Sequence, residues 1–167
     1  PKHSLGEQYH PRIYAISLAS QQFLEHLGIW SMMPNERRNP VRQMEVHGDL
    51  DGMIVLDAKQ SQMLELAYIV ESGEIENALF NALKVYGVPW IEDTFKSYDQ
   101  WHGSIECGSG QIIKTQLLIG ADGANSTVRQ ACGIRHERKA YGDSGLVAQL
   151  TVDKPHLDAA IQWFGDF

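Results

Sequence analysis

The chain has 167 residues, enough for one domain with a hydrophobic core, and its 14 basic and 21 acidic residues give a formal charge of −7. Because its Lys and Arg residues form no long run, this composition argues against nonspecific nucleic-acid binding, and we expect no nucleic-acid partner. No stretch reaches the roughly 18 to 20 continuous apolar residues that a membrane span requires, so we also expect no transmembrane helix.

The cysteines and histidines show no pattern of a metal or disulfide site. Cys107 and Cys132 lie far apart, and the seven histidines contain no H-x-x-x-H or H-x-H pair. We expect two reduced thiols in a cytoplasmic protein and no metal site. The chain starts at Pro1 without an initiator Met or a signal region, and it ends in an aromatic run. We therefore expect it to be an internal fragment of a longer sequence.

The first third of the chain predicts a loop, a helix and a hairpin. Residues 1–11 are polar and turn-rich. Ser17 or Ser20 can cap a helix that runs to about residue 27, and Gly28 ends it. Its apolar face would be formed by Phe23, Leu24 and Leu27. Residues 41–46 and 53–56 read as two strands joined by a turn at 48–52, and we prefer this hairpin to a calcium loop because the twelve-residue ligand series is missing.

The middle of the chain alternates strands with one long helix. Residues 67–70 predict a buried strand and residues 74–86 an amphipathic helix, with Ser72 as its N-cap and Gly87 as its end. Short strands are expected at 88–91, 94–98 and 105–107, and a longer one, apolar on both faces, at 112–119. Near the end of the chain, residues 146–152 and 161–164 predict two further strands.

The predicted strand 112–119 leads into the most informative turn of the chain. It reads Gly120, Ala121, Asp122, Gly123, and a helix follows from about residue 125 with Asn125 or Ser126 as N-cap. Glycines let a ligand approach the backbone, and the start of a helix presents free N–H groups. Asp-Gly is also a common turn without any ligand, so on these four residues alone both interpretations stay open.

Three longer stretches carry a family resemblance. G-A-D-G-A-N-S-T-V-R after an apolar strand closely resembles a flavin motif of the FAD-dependent aromatic hydroxylases, the single-component flavin monooxygenases. R-x-x-A-I-S-x-x-S at residues 12–20 and Y-I-V-E-x-x-x-I-x-x-A-L at 68–79 resemble, more narrowly, the ubiquinone-biosynthesis hydroxylases. At positions 72 and 73 those enzymes often have Asn-Arg, whereas this chain has Ser72 and Gly73.

The resemblance implies an α/β (α+β) fold, namely part of the three-layer FAD-binding domain of the aromatic-hydroxylase type with the start of a substrate-domain β-sheet. We expect the FAD-binding part at residues 1–140, with an inserted hairpin near 41–56, and the substrate-domain part at 141–167. Cofactor contacts carry over to Arg12, Gly120, Ala121, Asp122 and Gly123. Without the resemblance, Arg12 would read as an ordinary surface arginine. No catalytic side chain is assigned.

The implied activity is hydroxylation of an aromatic ring, here a polyprenylated phenol of ubiquinone biosynthesis. FAD would be the cofactor, with NAD(P)H as co-substrate and O₂ as the oxidant. A polyprenyl substrate also implies peripheral membrane or multi-enzyme association. Two alternatives stay open: a non-catalytic remnant or interaction module on the same scaffold, and another flavoprotein such as a prenyl reductase or a halogenase.

Two further flavin motifs of this family are missing from the sequence. One is the G-x-G-x-x-G strand-turn-helix, and the other is a Gly-Asp-Ala-Ala-His type motif, with which residues 142–144 and 165–167 share only Gly-Asp. With one flavin segment out of three, we expect the chain alone to be inactive and to bind FAD weakly or not at all.

Overall fold

The computed structural model describes residues 9–49 and 51–165. They fall into two units, of which the first holds the described parts of Pro1–Val88 and Gly145–Phe167 and the second holds Pro89–Ser144. The mixture of helices and strands confirms the predicted fold class. Most of the predicted lead-in loop at residues 1–11 lies outside the described residues. In chain order the elements are β1 (Ile13–Ser17), α1 (Leu18–His26), β2 (Arg38–Val41), β3 (Gln43–His47), β4 (Met53–Asp57), β5 (Ala67–Glu71), α2 (Ser72–Val85), β6 (Phe95–Asp99), β7 (Ser104–Cys107), β8 (Ile112–Lys114), α3 (Thr127–Ala131) and β9 (Ala159–Trp163).

The core of the first unit forms between a three-stranded sheet and the helices α1 and α2. β5 is the central strand and pairs antiparallel with β1 on one side and β2 on the other. The Trp30 ring meets the Tyr68 ring edge to face, with their centroids 5.0 Å apart. The buried apolar side chains of this core are Ile29, Trp30, Met33, Val70, Ala78 and Ala82.

The ends of α1 follow the sequence prediction. Ser17 is its N-cap, because its side chain accepts a hydrogen bond from the Ser20 N–H over 3.2 Å, and Gly28 follows its end with a φ of +67°. The predicted apolar face was wrong at one position: Leu24 and Leu27 pack on the core, whereas Phe23 is exposed. The helix therefore buries a narrower stripe than its sequence suggests.

The start of α2 differs from the prediction. Gly87 does end the helix, with a φ of +65°, but Ser72 is the first helical residue and the N-cap position belongs to Glu71, which makes no side-chain capping bond. The Ser72 hydroxyl instead lies 3.1 Å from Nδ1 of His10. A contact with a residue 62 positions away thus replaces the predicted local cap.

A second sheet in the first unit has the order β4-β3-β9. β3 and β4 form the predicted antiparallel hairpin, with Gln43 opposite Asp57 and His47 opposite Met53. β9 adds to the other side of β3 as a parallel strand, which confirms a strand near residues 161–164. The rings of His47 and Trp163 stack with centroids 5.4 Å apart. The predicted domain boundary near residue 140 stays a prediction.

The second unit contains the antiparallel sheet β6-β7-β8 and the short helix α3. β8 ends at Lys114, and the Thr115 N–H adds one more bond to the Gly103 carbonyl, so the predicted strand 112–119 is only three residues long. Leu117 and Ile119 are 72% and 74% exposed. No strand of residues 9–49 or 51–165 pairs with residues 115–119, and an apolar run without a partner forms no ladder.

Two more predicted strands were wrong for the same physical reason. Residues 88–91 and 146–152 have the composition and alternation of strands, but neither segment pairs within the described part of the chain. Leu146 is 91% exposed and Leu150 is 80% exposed. An alternating pattern predicts a strand only where a neighbouring strand and a covering layer exist.

Candidate functional site

The turn at residues 120–123 uses its two glycines for different purposes. Gly123 has a φ of +86°, and a Cβ atom built on it would meet nothing within 4 Å. A Cβ on Gly120 would lie only 3.0 Å from Cγ1 of Val128. Gly123 is therefore required by the backbone conformation and has an open side, whereas Gly120 is required for packing against α3.

Asp122 is the residue that holds this turn to the following helix. Its Oδ2 accepts from the N–H of Thr127 over 2.6 Å, from the hydroxyl of Thr127 over 2.8 Å and from the N–H of Val128 over 3.3 Å. Its Oδ1 accepts from the hydroxyl of Ser126. The hydrogen bond from Ser126 foremost, and those from Thr127 and Val128, hold the pKa of the Asp122 carboxyl below its usual range.

The first N–H groups of α3 are consequently occupied by protein atoms. Besides the two bonds to Asp122, the Arg129 N–H donates to Oγ of Ser126 over 3.0 Å. Ser126, not Asn125, is the N-cap. The expectation that this helix presents free N–H groups to a ligand was therefore wrong. The signal in the sequence was an aspartate four and five residues before a Ser-Thr pair, a spacing that lets one carboxylate reach both hydroxyls.

Asp122 nevertheless keeps capacity for a further partner. It is exposed, and a carboxylate offers about four lone-pair positions. Oδ2 is saturated by three donors, whereas Oδ1 accepts only the Ser126 hydroxyl among the described residues. One lone pair of Oδ1 can still accept from a hydroxyl group of a ligand.

Arg129 contacts the turn at residues 120–124 in a way that the sequence prediction missed. One of its terminal nitrogens, Nη2, donates to the carbonyl of Ala124 over 2.7 Å and lies 3.4 Å from Nε2 of His136. Its Nε is buried and has no partner within the described parts of the chain. The arginine thus ties the outer end of the turn back to α3, and its i, i+5 spacing from Ala124 is the signal that could have identified it.

Arg12 lies in the first unit, directly before β1. Its N–H donates to Nδ1 of His10 over 3.2 Å, and its carbonyl accepts from the Ser72 N–H over 2.9 Å. Its side chain is exposed, and no hydrogen bond or ion pair engages the guanidinium within residues 9–49 and 51–165. The backbone of Arg12 is therefore fixed while its charged group is available.

Each of these two places, taken by itself, offers groups that suit part of a dinucleotide cofactor. The turn at 120–123 offers an open glycine and a carboxylate oxygen with a spare lone pair, and the available guanidinium of Arg12 suits a phosphate. Such groups can bind hydroxyls and phosphates, and we assign none of them as a nucleophile or general base. The cofactor roles of Arg12, Gly120, Ala121, Asp122 and Gly123 stay predictions.

Comparison with known proteins gives a family match over most of the chain. The family model described as "FAD binding domain" matches residues 6–164. The 3-demethoxyubiquinol 3-hydroxylase of Escherichia coli K12 is 32% identical over 158 residues, which cover 92% of this chain and 40% of that protein. The mitochondrial ubiquinone biosynthesis monooxygenase COQ6 of Rattus norvegicus is 32% identical over 171 residues, covering 95% of this chain and 35% of the relative. The chain thus spans well under half the length of these relatives.

Solved structures show the same fold at lower sequence identity. A tetrameric 2-methyl-3-hydroxypyridine-5-carboxylic acid oxygenase superimposes with a TM-score of 0.69 at 18% identity, over 96% of this chain and 44% of that chain. PqsL of P. aeruginosa in complex with 2-aminobenzoylacetate gives a TM-score of 0.61 at 19% identity, over 81% of this chain and 40% of its own. At these identities the likeness is one of fold.

Proposed function

The chain belongs to the FAD-binding domain family, and from this premise we propose that it is part of an FAD-dependent monooxygenase that hydroxylates an aromatic ring. Membership in the family confirms the predicted resemblance and its cofactor, FAD. The observation that carries the proposal is the match over residues 6–164, together with relatives 32% identical that are named as ubiquinone-pathway hydroxylases and monooxygenases.

We assign the cofactor contacts to two places in the chain. At the turn, Oδ1 of Asp122 accepts from a hydroxyl of the FAD sugar or ribityl chain, and the open side of Gly123 lets that chain approach the backbone. Arg12 donates to the FAD phosphates. FAD, when bound, supplies the redox chemistry with NAD(P)H and O₂, so the protein has to bind, orient and exclude water.

The finer substrate assignment rests on the relatives alone. Their names place them in ubiquinone biosynthesis, and we extend this to a polyprenylated phenol as the substrate of the protein that contains this chain. No helix of the described residues is long and apolar enough to cross a membrane. Because a polyprenyl chain is lipid-borne, we further propose that the protein that contains this chain associates peripherally with a membrane or with partner enzymes.

One observation favours the alternative of a non-catalytic module on the same scaffold. Ser72 and Gly73 stand where the resembled enzymes often have Asn-Arg, and the Ser72 side chain is engaged with His10 rather than directed to a ligand. A prenyl reductase or halogenase would share the aspartate turn. The reaction catalysed distinguishes these functions, because only the hydroxylase adds one oxygen atom of O₂ to an aromatic ring.

The proposal is tested by FAD titration of the protein that contains this chain, followed by mass spectrometry of a prenylated phenol incubated with NAD(P)H in air. We expect Asp122→Asn to weaken FAD binding. Asp93→Asn is the matched control, because Asp93 is an equally exposed carboxylate that bonds a local serine, Ser109, within the same unit. Equal FAD affinity in both variants, or a substrate that never gains an oxygen atom, would contradict the proposal.

A further inference from the structure

The backbone of Arg12 is held at both of its polar groups. Its N–H is bound to the ring of His10, and its carbonyl is bound to the N–H of Ser72. The N–H of Ser72 belongs to the first turn of α2 and therefore has no partner inside that helix. The carbonyl of the residue before β1 and the first N–H of α2 thus satisfy each other, at the corner where β5 leads into α2.

The histidine ring joins these two residues through a single atom. Nδ1 of His10 lies 3.2 Å from the Arg12 nitrogen and 3.1 Å from Oγ of Ser72. Because a backbone N–H can only donate, Nδ1 is the acceptor, and its single lone pair is shared between this N–H and the Ser72 hydroxyl. The 3.4 Å contact between the same Nδ1 and the Arg12 carbonyl is longer and would need the other tautomer. The ring proton is accordingly assigned to Nε2.

Glu71 anchors the same segment from the other side. Its carboxylate accepts from the backbone N–H of His10 and from Nη1 of Arg37, the latter over 2.9 Å. The Arg37 guanidinium lies under the ring of Tyr9, 4.2 Å from its centroid. Glu71 is 6% exposed and Ser72 is 1% exposed. These groups are buried and bonded to protein atoms, so they act on a neighbouring residue and not on a ligand.

We propose that His10, Glu71 and Ser72 are positioning residues that fix the backbone of Arg12. Its guanidinium then projects in one direction from the start of β1, toward the phosphates of a bound dinucleotide. The inference rests on the proposed function for the identity of the ligand, but the positioning itself does not. Gly73 has no side chain, so within this Ser-Gly pair only the Ser72 hydroxyl can bind the segment that contains His10 and Arg12. Where the resembled enzymes often have Asn-Arg, this chain thus fixes the end of β5 and the start of α2 through the contact of Ser72 with His10.

The positioning is tested by amide hydrogen exchange of Arg12, followed by NMR in the 167-residue chain. His10→Ala removes the acceptor, and we expect the Arg12 amide to exchange about tenfold faster. His10→Asn retains a side-chain oxygen near the position of Nδ1 and should restore most of the protection. Ser17→Ala, at the far end of β1, is the control and should leave Arg12 unchanged.

Unchanged exchange of Arg12 in His10→Ala overturns the inference. If circular dichroism shows that His10→Ala is unfolded, the test uses Ser72→Ala instead, because this variant removes the hydroxyl that orients the His10 ring. Wild-type protection of Arg12 in Ser72→Ala then overturns the proposal, and faster exchange supports it.

A second measurement separates this inference from the proposed function. In the flavin-binding protein that contains these residues, His10→Ala and Arg12→Ala should each raise the Kd for FAD about tenfold and leave the Kd for riboflavin, which lacks the diphosphate, nearly unchanged. An equal rise for both ligands in His10→Ala would overturn positioning through Arg12. If Arg12→Ala alters neither affinity, the cofactor contact in the proposed function fails, while the corner is still judged by the exchange of the Arg12 amide.

Discussion

Replacing Ser126 with alanine tests how the proposed flavin turn is held. Ser126 is buried, and its Oγ accepts from the Arg129 N–H over 3.0 Å while it donates to the Asp122 carboxylate. Loss of a serine N-cap lowers the free energy of unfolding by about 1 kcal/mol. Because the Arg129 amide also loses its partner, we expect a loss closer to about 2 kcal/mol. We expect Ser126→Ala to lower Tm by about 2–8 °C for a chain of this size.

The same variant has a defined pH dependence. The Ser126 hydroxyl is the main reason why the pKa of Asp122 lies below its ordinary value of 3.8. A carboxyl whose pKa is lower in the folded state stabilises the fold above its unfolded pKa, and this stabilisation is lost as the pH falls through the folded pKa. The stability difference between the wild type and Ser126→Ala should therefore be full at neutral pH and shrink as the pH falls below 3.8.

Thermal unfolding followed by circular dichroism, and amide exchange of Arg129, measure these effects. Ser17→Ala is the matched control, because it removes the serine N-cap of α1 in the other unit and should lower Tm without changing exchange at Arg129. If Ser126→Ala leaves both Tm and the Arg129 amide at their wild-type values, the described role of Ser126 is refuted. A stability difference that grows toward acid pH would refute the assigned role of Asp122.

The other predictions concern the glycines, the core and a buried acid. Gly123→Ala should lower the free energy of unfolding by about 1–2 kcal/mol through the positive φ alone. Gly120→Ala should destabilise the fold because its new Cβ contacts Val128, and Val128→Ala should partly rescue it. Thermal melts of the single and double variants measure both effects. Val70→Ala, at a side chain 1% exposed, should cost about 2 kcal/mol in urea unfolding. Burial raises the pKa of Glu74 above its usual 4.5, so its ionisation lowers stability as the pH rises, and the stability of Glu74→Gln relative to wild type should increase from pH 4.5 upward.

Most elements with a local cause were predicted well, and the exception is the start of α3, whose N–H groups bind Asp122 and Ser126. The cap of α1 at Ser17, the glycines that end α1 and α2, and the hairpin around residues 48–52 each depend on residues within a few positions of one another. Their conformations follow from side-chain hydrogen bonding and from the positive φ that glycine accepts. The family resemblance likewise rests on contiguous motifs, which explains why it could be identified without a structure.

Two other errors arose where residues distant in the chain decide the structure. Ser72 was expected to cap α2, but its hydroxyl binds His10, 62 positions earlier in the chain. Residues 115–119 were expected to continue a strand, but no strand of the described residues lies beside them. The local sequence pattern predicts neither the contact with His10 nor the missing strand partner. Periodicity indicates which face of a segment is apolar, but not which residues cover that face.

The sequence by itself determined the family, the cofactor class and the positions of the local turns, since these follow from short motifs with their own backbone chemistry. Only the tertiary structure decided that Arg12 is held from both sides by His10 and Ser72, whereas the anchoring of α3 by Asp122 joins residues four to six positions apart. A carboxylate or a backbone amide can serve several partners with similar energy. Which partner it takes depends on the folded chain bringing one of them within hydrogen-bond distance.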